Sequence, residues 1–567
     1  MNPADDQVAS ASARHASVDR DPTIPHAIPT TPELLNGTPR LVWLLVALTA
    51  VTATFFTVFH PNYRGPDEVA HTGLVVAVAE RNAVWQPGSM PIQQGVNRSP
   101  LITTVRLKVS LYLDETSMAP SSARPSYRDF GGDSPSSSPN HLVQHPPLYY
   151  VILGAVLSTI PNWQDVPFDR IVLLLRLLSV LLLVPLPWFC YAAARTLGAS
   201  QGISVTAAAT PMMSPMLVHV SAVVNNDGLI TILGAFVVWI AARVIRGDFR
   251  VRTAFQLGLL CSALMLTKGF GLVVVFIVVV IYLLAIIRLP ARVRWRNLWR
   301  CGAAFAGPAI IGLIWWVSNL VQYHRLQPIG LLPPGSQDQP PRPPHTTFAE
   351  SGWRYTWTWL DDFSQRFWFD DPTGVQSSGV LHLIALAMTI LVIIAIGYAI
   401  ITGSMDRRLT ITLALGIFVT TLQLMTLGWT TFAANGRVGA AQGRYLFGFY
   451  AGIGLIMAYG LAALCRGSER WVVRAAVGSA FGMNLVDVIY TLQIYWWPRP
   501  GTAIPIWHAL QSILYVSPAP PWTIVLVIIN IVVLGVITVI ETLTFGASGR
   551  ASKPLHRLRR SPARVPA

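Results

Sequence analysis

Charged residues are scarce in this 567-residue chain: Asp, Glu, Lys and Arg make up 12% of it, against 53% hydrophobic residues and a mean hydropathy of +0.50. So little charge cannot cover a soluble fold of this size, and the composition is that of a polytopic membrane protein. Cysteine is scarce too. Cys190, Cys261, Cys301 and Cys465 form no Cys-x-x-Cys pair, which excludes a disulfide framework and supports neither a zinc site nor a redox pair. No internal repeat is evident, which counts against an inverted-repeat transporter. Residues 60–171 lack any uninterrupted apolar run of the roughly 20 residues a span needs, so this stretch reads as a long loop.

What is present is basic and unevenly placed. The net charge of +15 would suit a nucleic-acid binder, but much of the excess falls in short loops between hydrophobic stretches. That pattern sets orientation and implies no nucleic-acid partner. Apolar stretches near 41–59, 172–195, 203–222, 229–244, 254–267, 270–287, 302–321, 379–401, 409–431, 444–464, 471–493 and 522–544 predict an all-α bundle of about 12 spans. Arg243, Arg246, Arg250 and Arg252 cluster in one loop, and Arg40, Arg288–Arg300, Arg407 and Arg408, Arg466–Arg474 and the tail from Arg550 to Arg564 fall in other segments of the same face. The positive-inside rule makes that face cytoplasmic, with both termini inside.

The domain reading follows. Residues 1–39, rich in Ala, Ser, Pro and Thr, form a disordered cytoplasmic tail; 40–545 form the membrane domain; 546–567 form a basic tail. Residues 60–171 and 322–378 are the two large extracytoplasmic loops. The first is expected to carry an amphipathic helix from Pro66 to Val84, a flexible Ser/Pro/Gly-rich insert over 114–140, and a surface helix from His145 to Ile160. The aromatics of 353–369 read as an interfacial belt before a sugar platform.

Within the first loop, Gly65-Pro66-Asp67-Glu68-Val69-Ala70-His71 concentrates two carboxylates and a histidine at the membrane edge. Pro66 suits a first helical turn, which would place Asp67 and Glu68 at the positive end of a helix dipole with His71 one turn on. Helix capping alone would account for that. Ionisable groups at a membrane boundary are costly, however, and mark function by default. Asp67, Glu68, His71, His145, Asp227, Lys268, Arg437 and Arg444 all fall on the outer side. Carboxylates can take a proton from a hydroxyl, and cations can hold a phosphate. Plainer roles stand beside these: Asp227 paired with Lys268, Arg444 reaching headgroups, His145 starting a surface helix, and His219 a core histidine.

Pro66-Asp67-Glu68 with His71, His145-Pro146-Pro147-Leu148-Tyr149-Tyr150, Asn226-Asp227, Thr267-Lys268-Gly269, Phe367-Trp368 and Gln442-Gly443-Arg444-Tyr445 occur in this order. The set resembles the GT-C superfamily of integral-membrane glycosyltransferases, and more closely the bacterial DUF2142 family, over about residues 41–465. The resemblance implies transfer of a sugar from a polyprenyl-phosphate donor to an envelope glycan, lipid or protein hydroxyl outside the cytoplasmic membrane, with inversion. It gives the role of base to Asp67 or Glu68, with Asp67 preferred. His71, His145, Asp227, Lys268, Arg437, Arg444 and Tyr445 become substrate-binding residues. It leaves open a divalent metal, for which Glu68, His71 and Asp227 are the helpers. The rival reading is a transporter or flippase of a lipid-linked sugar.

Overall fold

The computed structural model describes residues 28–81, 90–100, 123–328, 345–369, 379–466, 468–496 and 506–546. The chain is nearly all helical. Short α1 (Thr31–Asn36) leads into α2 (Arg40–Phe59), and α3 (Glu68–Ala79), α4 (Gln94–Arg98) and α5 (Leu148–Ser158) lie in the first loop. Then come α6 (Phe168–Leu183), α7 (Leu186–Thr196), α8 (Gln201–Ala209), α9 (Pro215–Ser221), α10 (Asp227–Ile245), α11 (Val251–Met265) and α12 (Gly271–Ile286). The rest comprises α13 (Ala291–Tyr323), α14 (Phe348–Trp368), α15 (Gly379–Thr402), α16 (Arg407–Asn435), α17 (Tyr450–Leu464), α18 (Glu469–Thr491), α19 (Ile506–Val516) and α20 (Pro521–Thr544).

Among the described residues nine helical stretches are long and apolar enough to cross a membrane, and ten if the pair Gln201–Met213 and Pro215–Ser221, bent by 65°, counts as one broken span. The protein is a multi-pass membrane protein. All nine coincide with expected spans, and the bent pair with a tenth. The remaining two expected spans are α11 and α12, of 15 and 16 residues. They are shorter than the roughly 20 residues that cross a bilayer. The turn Leu266–Phe270 that separates them holds Lys268.

Three local expectations change. Residues 28–39 are ordered: Thr30 caps α1 in a capping box with Glu33, Leu34 is buried, and Trp188 Nε1 donates to Thr38 Oγ1 at 3.2 Å. Residues 123–140 of the Ser/Pro/Gly-rich insert are ordered as well. Strand β2 (Pro135–Pro139) pairs antiparallel with β1 (Pro91–Gln93), and Tyr127 and Phe130 are buried. Two aromatic anchors therefore outweigh a composition that reads as flexible; 114–122 lie outside the described residues. Finally, α3 is not an amphipathic surface helix. It begins at Glu68 rather than Pro66 and is buried along nearly its whole length, packing on α5 where Gly154 leaves room for Val78.

Small residues let the spans approach closely. A Cβ on Gly234 of α10 would run into the carbonyl oxygen of Gly448, whereas nothing lies within 4 Å of a Cβ added to Gly478 of α18. We expect Gly234→Val to abolish recovery of monodisperse detergent-extracted protein and Gly478→Val to leave it at the wild-type level, as read by size-exclusion chromatography.

Candidate functional site

The site forms where the loops after α2, α9, α11 and α16 meet at one end of the bundle. Arg176, in the middle of the apolar α6, is fully buried. Its Nη1 donates to the carbonyls of Thr57 and His60, both at 2.7 Å, and its Nη2 to that of Pro61 at 3.1 Å. The chain leaving α2 thus wraps the guanidinium. Arg176 also holds Glu68 through two charge-assisted bonds, Nε to Oε1 at 2.7 Å and Nη2 to Oε2 at 2.6 Å. Backbone amides complete the cage: Tyr63 N–H donates to Oε2 at 2.8 Å and Val224 N–H to Oε1 at 3.1 Å. Both carboxylate oxygens of Glu68 are thereby committed, and its side chain has no exposed surface.

Asp67 differs in every respect. It precedes the first turn of α3 with φ +55°, the left-handed region that Asp and Asn tolerate better than other side-chain-bearing residues. Its side chain is 42% exposed. Gly65 permits this turn, because any Cβ there would strike the Val223 side chain at 2.8 Å. Asn225 Nδ2 donates to the Pro66 carbonyl at 3.1 Å and fixes the loop from the other side. Asp67 and Glu68 thus face different surroundings, in place of the shared helix face that their spacing implied.

Asn225 accepts from the Asp227 N–H at 2.8 Å, and Asn226 Nδ2 donates to the Thr267 carbonyl at 3.1 Å. These bonds bring the start of α10 to the α11–α12 turn, where Lys268 Nζ pairs directly with Asp227 Oδ1. Arg444 lies between the two aspartates, with Nη2 3.5 Å from Asp67 Oδ2 and Nε 3.5 Å from Asp227 Oδ2. Both cations flank the Tyr445 ring: Lys268 Nζ is 4.7 Å and Arg444 Cζ 5.6 Å from its centroid. Arg444 is buried, and its Nη1 carries no hydrogen bond among the described residues. Gly443 is pressed against α14, within 2.6 Å of the Phe363 carbonyl for an added Cβ, so the Gln442–Tyr445 motif is seated on the Phe367 helix.

The histidines form a second layer. His71 Nδ1 is 2.9 Å from Tyr150 Oη, and the His71 and His145 rings are parallel with centroids 6.2 Å apart. Burial pushes His71 well below its ordinary pKa, with His145 adding to the effect, and pushes His145 down to about 3, with Lys268 adding. Burial thus favours the neutral form of both imidazoles. His141 is exposed, with Nε2 3.4 Å from Asp67 Oδ1. This hydrogen bond holds the Asp67 carboxyl well below the usual range, against the effect of burial and with help from Arg444, and it raises the His141 pKa.

Asp67, Glu68, His71, His145, Asp227, Lys268, Arg444 and Tyr445 therefore meet in one region. Arg437 does not join them: it is exposed beyond α16, its N–H donating to Asn435 Oδ1 at 2.9 Å. Two participants escape the sequence reading, Arg176 and His141. A lone arginine in the run 171–184 was the available signal, and His141 stands one helical repeat before His145. The proposed metal helpers do not fit a divalent cation as a set. Glu68 is neutralised by Arg176 and Asp227 by Lys268, and His71 faces Tyr150. No group of three His, Cys, Asp or Glu side chains converges among the described residues.

Residues 51–453 match the family described as a predicted membrane protein, DUF2142. The chain belongs to that family. The DUF2142 match takes in every residue of the Asp67–Arg444 network and ends within α17, leaving α18–α20 outside. No curated protein and no solved structure matches the chain.

Proposed function

We propose that this DUF2142 protein is a membrane glycosyltransferase of GT-C type, moving a sugar from a polyprenyl-phosphate donor to an envelope hydroxyl on the extracytoplasmic face. One observation carries this reading: a partly exposed carboxylate, Asp67, stands 3.5 Å from the buried cation Arg444, which also reaches Asp227 and through it the buried Lys268. Asp67 is the base. The acceptor oxygen attacks C1 of the sugar as its proton passes to Asp67. The bond from C1 to the phosphate oxygen breaks, and its electron pair leaves with polyprenyl phosphate. A single displacement inverts C1. Arg444, whose Nη1 has no hydrogen bond among the described residues, and Lys268 stabilise the phosphate as its charge grows, in a site partly withdrawn from water. Glu68 and Arg176 touch neither reactant and hold the Asp67 loop. The basic loops at the opposite end support the extracytoplasmic assignment.

The broken span α8–α9 gives the transporter reading its own support, since discontinuous helices line many transport sites. Glycan profiling of a deletion strain separates the two roles from the chemistry. Complementation by wild type but not Asp67→Asn, with one sugar missing from an envelope glycan, supports the proposal; equal complementation by both contradicts it.

The reaction needs Asp67 ionised, so the rate falls as pH drops through its pKa. His141→Ala removes the main interaction that depresses that pKa. The acid limb of the pH–rate profile is then expected at higher pH than in wild type. A limb that does not move would remove His141 from the account.

A further inference from the structure

At the end of the bundle opposite Asp67, α13 is longer than a bilayer requires. Its 33 residues span about 50 Å, against about 30 Å of hydrocarbon. Trp316 Nε1 donates to the Met265 carbonyl near the Lys268 turn, so the C-terminal part of α13 belongs to the Asp67 end and the excess is available at the start. The first three turns carry Arg292, Arg294, Trp295, Arg296, Trp299 and Arg300 and no carboxylate. Arg292, Arg296 and Arg300 recur every four residues and form one stripe; Trp295 and Trp299 form the next. The three stripe arginines and both tryptophans are exposed, Trp299 to 74%. Cys301 Sγ donates to the Phe249 carbonyl at 3.2 Å, which brings the exposed Arg252 at the start of α11 alongside.

Four other arginines at this end are matched by carboxylates within the chain. Asp248 takes Arg243 and Arg250, Asp406 takes Arg408, and Glu541 takes Arg40. Among the described residues, no carboxylate lies within ion-pair distance of Arg252, Arg292, Arg296 or Arg300. Orientation by positive charge requires neither a continuous helix nor a tryptophan stripe beside the arginines.

We propose that this surface is a binding site for anionic phospholipid of the adjacent leaflet. The phosphodiester lies along the arginine stripe, where guanidinium groups match phosphate oxygens in geometry and charge. Trp295 and Trp299 sit at headgroup depth, where indole is favoured. The inference is independent of the glycosyltransferase proposal.

The test places full-length protein in phosphatidylcholine vesicles containing spin-labelled phosphatidylglycerol or spin-labelled phosphatidylcholine. The immobilised fraction of each label gives the selectivity. Wild type is expected to prefer phosphatidylglycerol, and R292Q/R296Q/R300Q to lose on the order of tenfold in that preference. W295A/W299A is expected to lose part of it, and added salt to weaken it in wild type. The side chains are exposed, so the variants should match wild type in size-exclusion profile. If the triple variant is not recovered folded, the tryptophan variant and the salt series decide. Wild type without preference, or variants and high salt that keep it, would overturn the proposal.

Discussion

Asp67→Asn is expected to lower transfer by roughly 10²–10⁴-fold, the usual contribution of a general base, while leaving the fold and donor affinity close to wild type. The prediction is sharp because of where Asp67 sits. Its backbone has φ +55°, which Asn accepts as readily as Asp, so the substitution costs little strain. Its side chain is partly exposed and its bonds to Arg444 and His141 are long, at 3.5 and 3.4 Å, so little folding energy depends on them. The donor phosphate is assigned to Arg444 and Lys268, so the loss should fall on kcat and leave KM nearly unchanged. A loss that fell on KM instead would make Asp67 a binding group.

Glu68→Gln and Arg176→Met are expected to fail in the opposite way, each losing about 3–5 kcal/mol of stability. Neither side chain of this pair has exposed surface. With Glu68→Gln the guanidinium remains buried without a counter-charge. With Arg176→Met the Glu68 carboxylate is left alone, and the carbonyls of Thr57, His60 and Pro61 lose their donor. The double variant removes both charges and should be less destabilised than the sum of the single ones. Apparent melting temperature in detergent checks this. Single variants as stable as wild type would show that the pair does not hold the loop. The proposal thus gives the adjacent carboxylates separable roles, one to be read in turnover and the other in stability.

The spans were legible because a run of apolar residues is a local property and burial in lipid demands it. The convergence of Asp67, Asp227, Lys268 and Arg444 was legible in part, since each is an ionisable group near the end of an apolar stretch. The division of labour between Asp67 and Glu68 was not. Helical spacing placed both in one first turn, whereas the cage around Glu68 is supplied by Arg176, 108 residues away, and by the amide of Val224. No local pattern encodes such a partner. Arg437 shows the converse: its place on the expected outer side suggested a shared role, but it is exposed just after Gly436, where α16 ends. The insert before Asn140 misled by composition, because Tyr127 and Phe130 anchor a segment otherwise rich in Ser and Pro.

The most direct measurement uses purified protein in proteoliposomes supplied with radiolabelled polyprenyl-phosphate sugars and envelope acceptors. The account predicts label in a new glycosidic bond of inverted configuration, with one polyprenyl phosphate released per sugar transferred, and neither product with Asp67→Asn. Label that crosses the membrane on an intact donor, with no polyprenyl phosphate released, would contradict it.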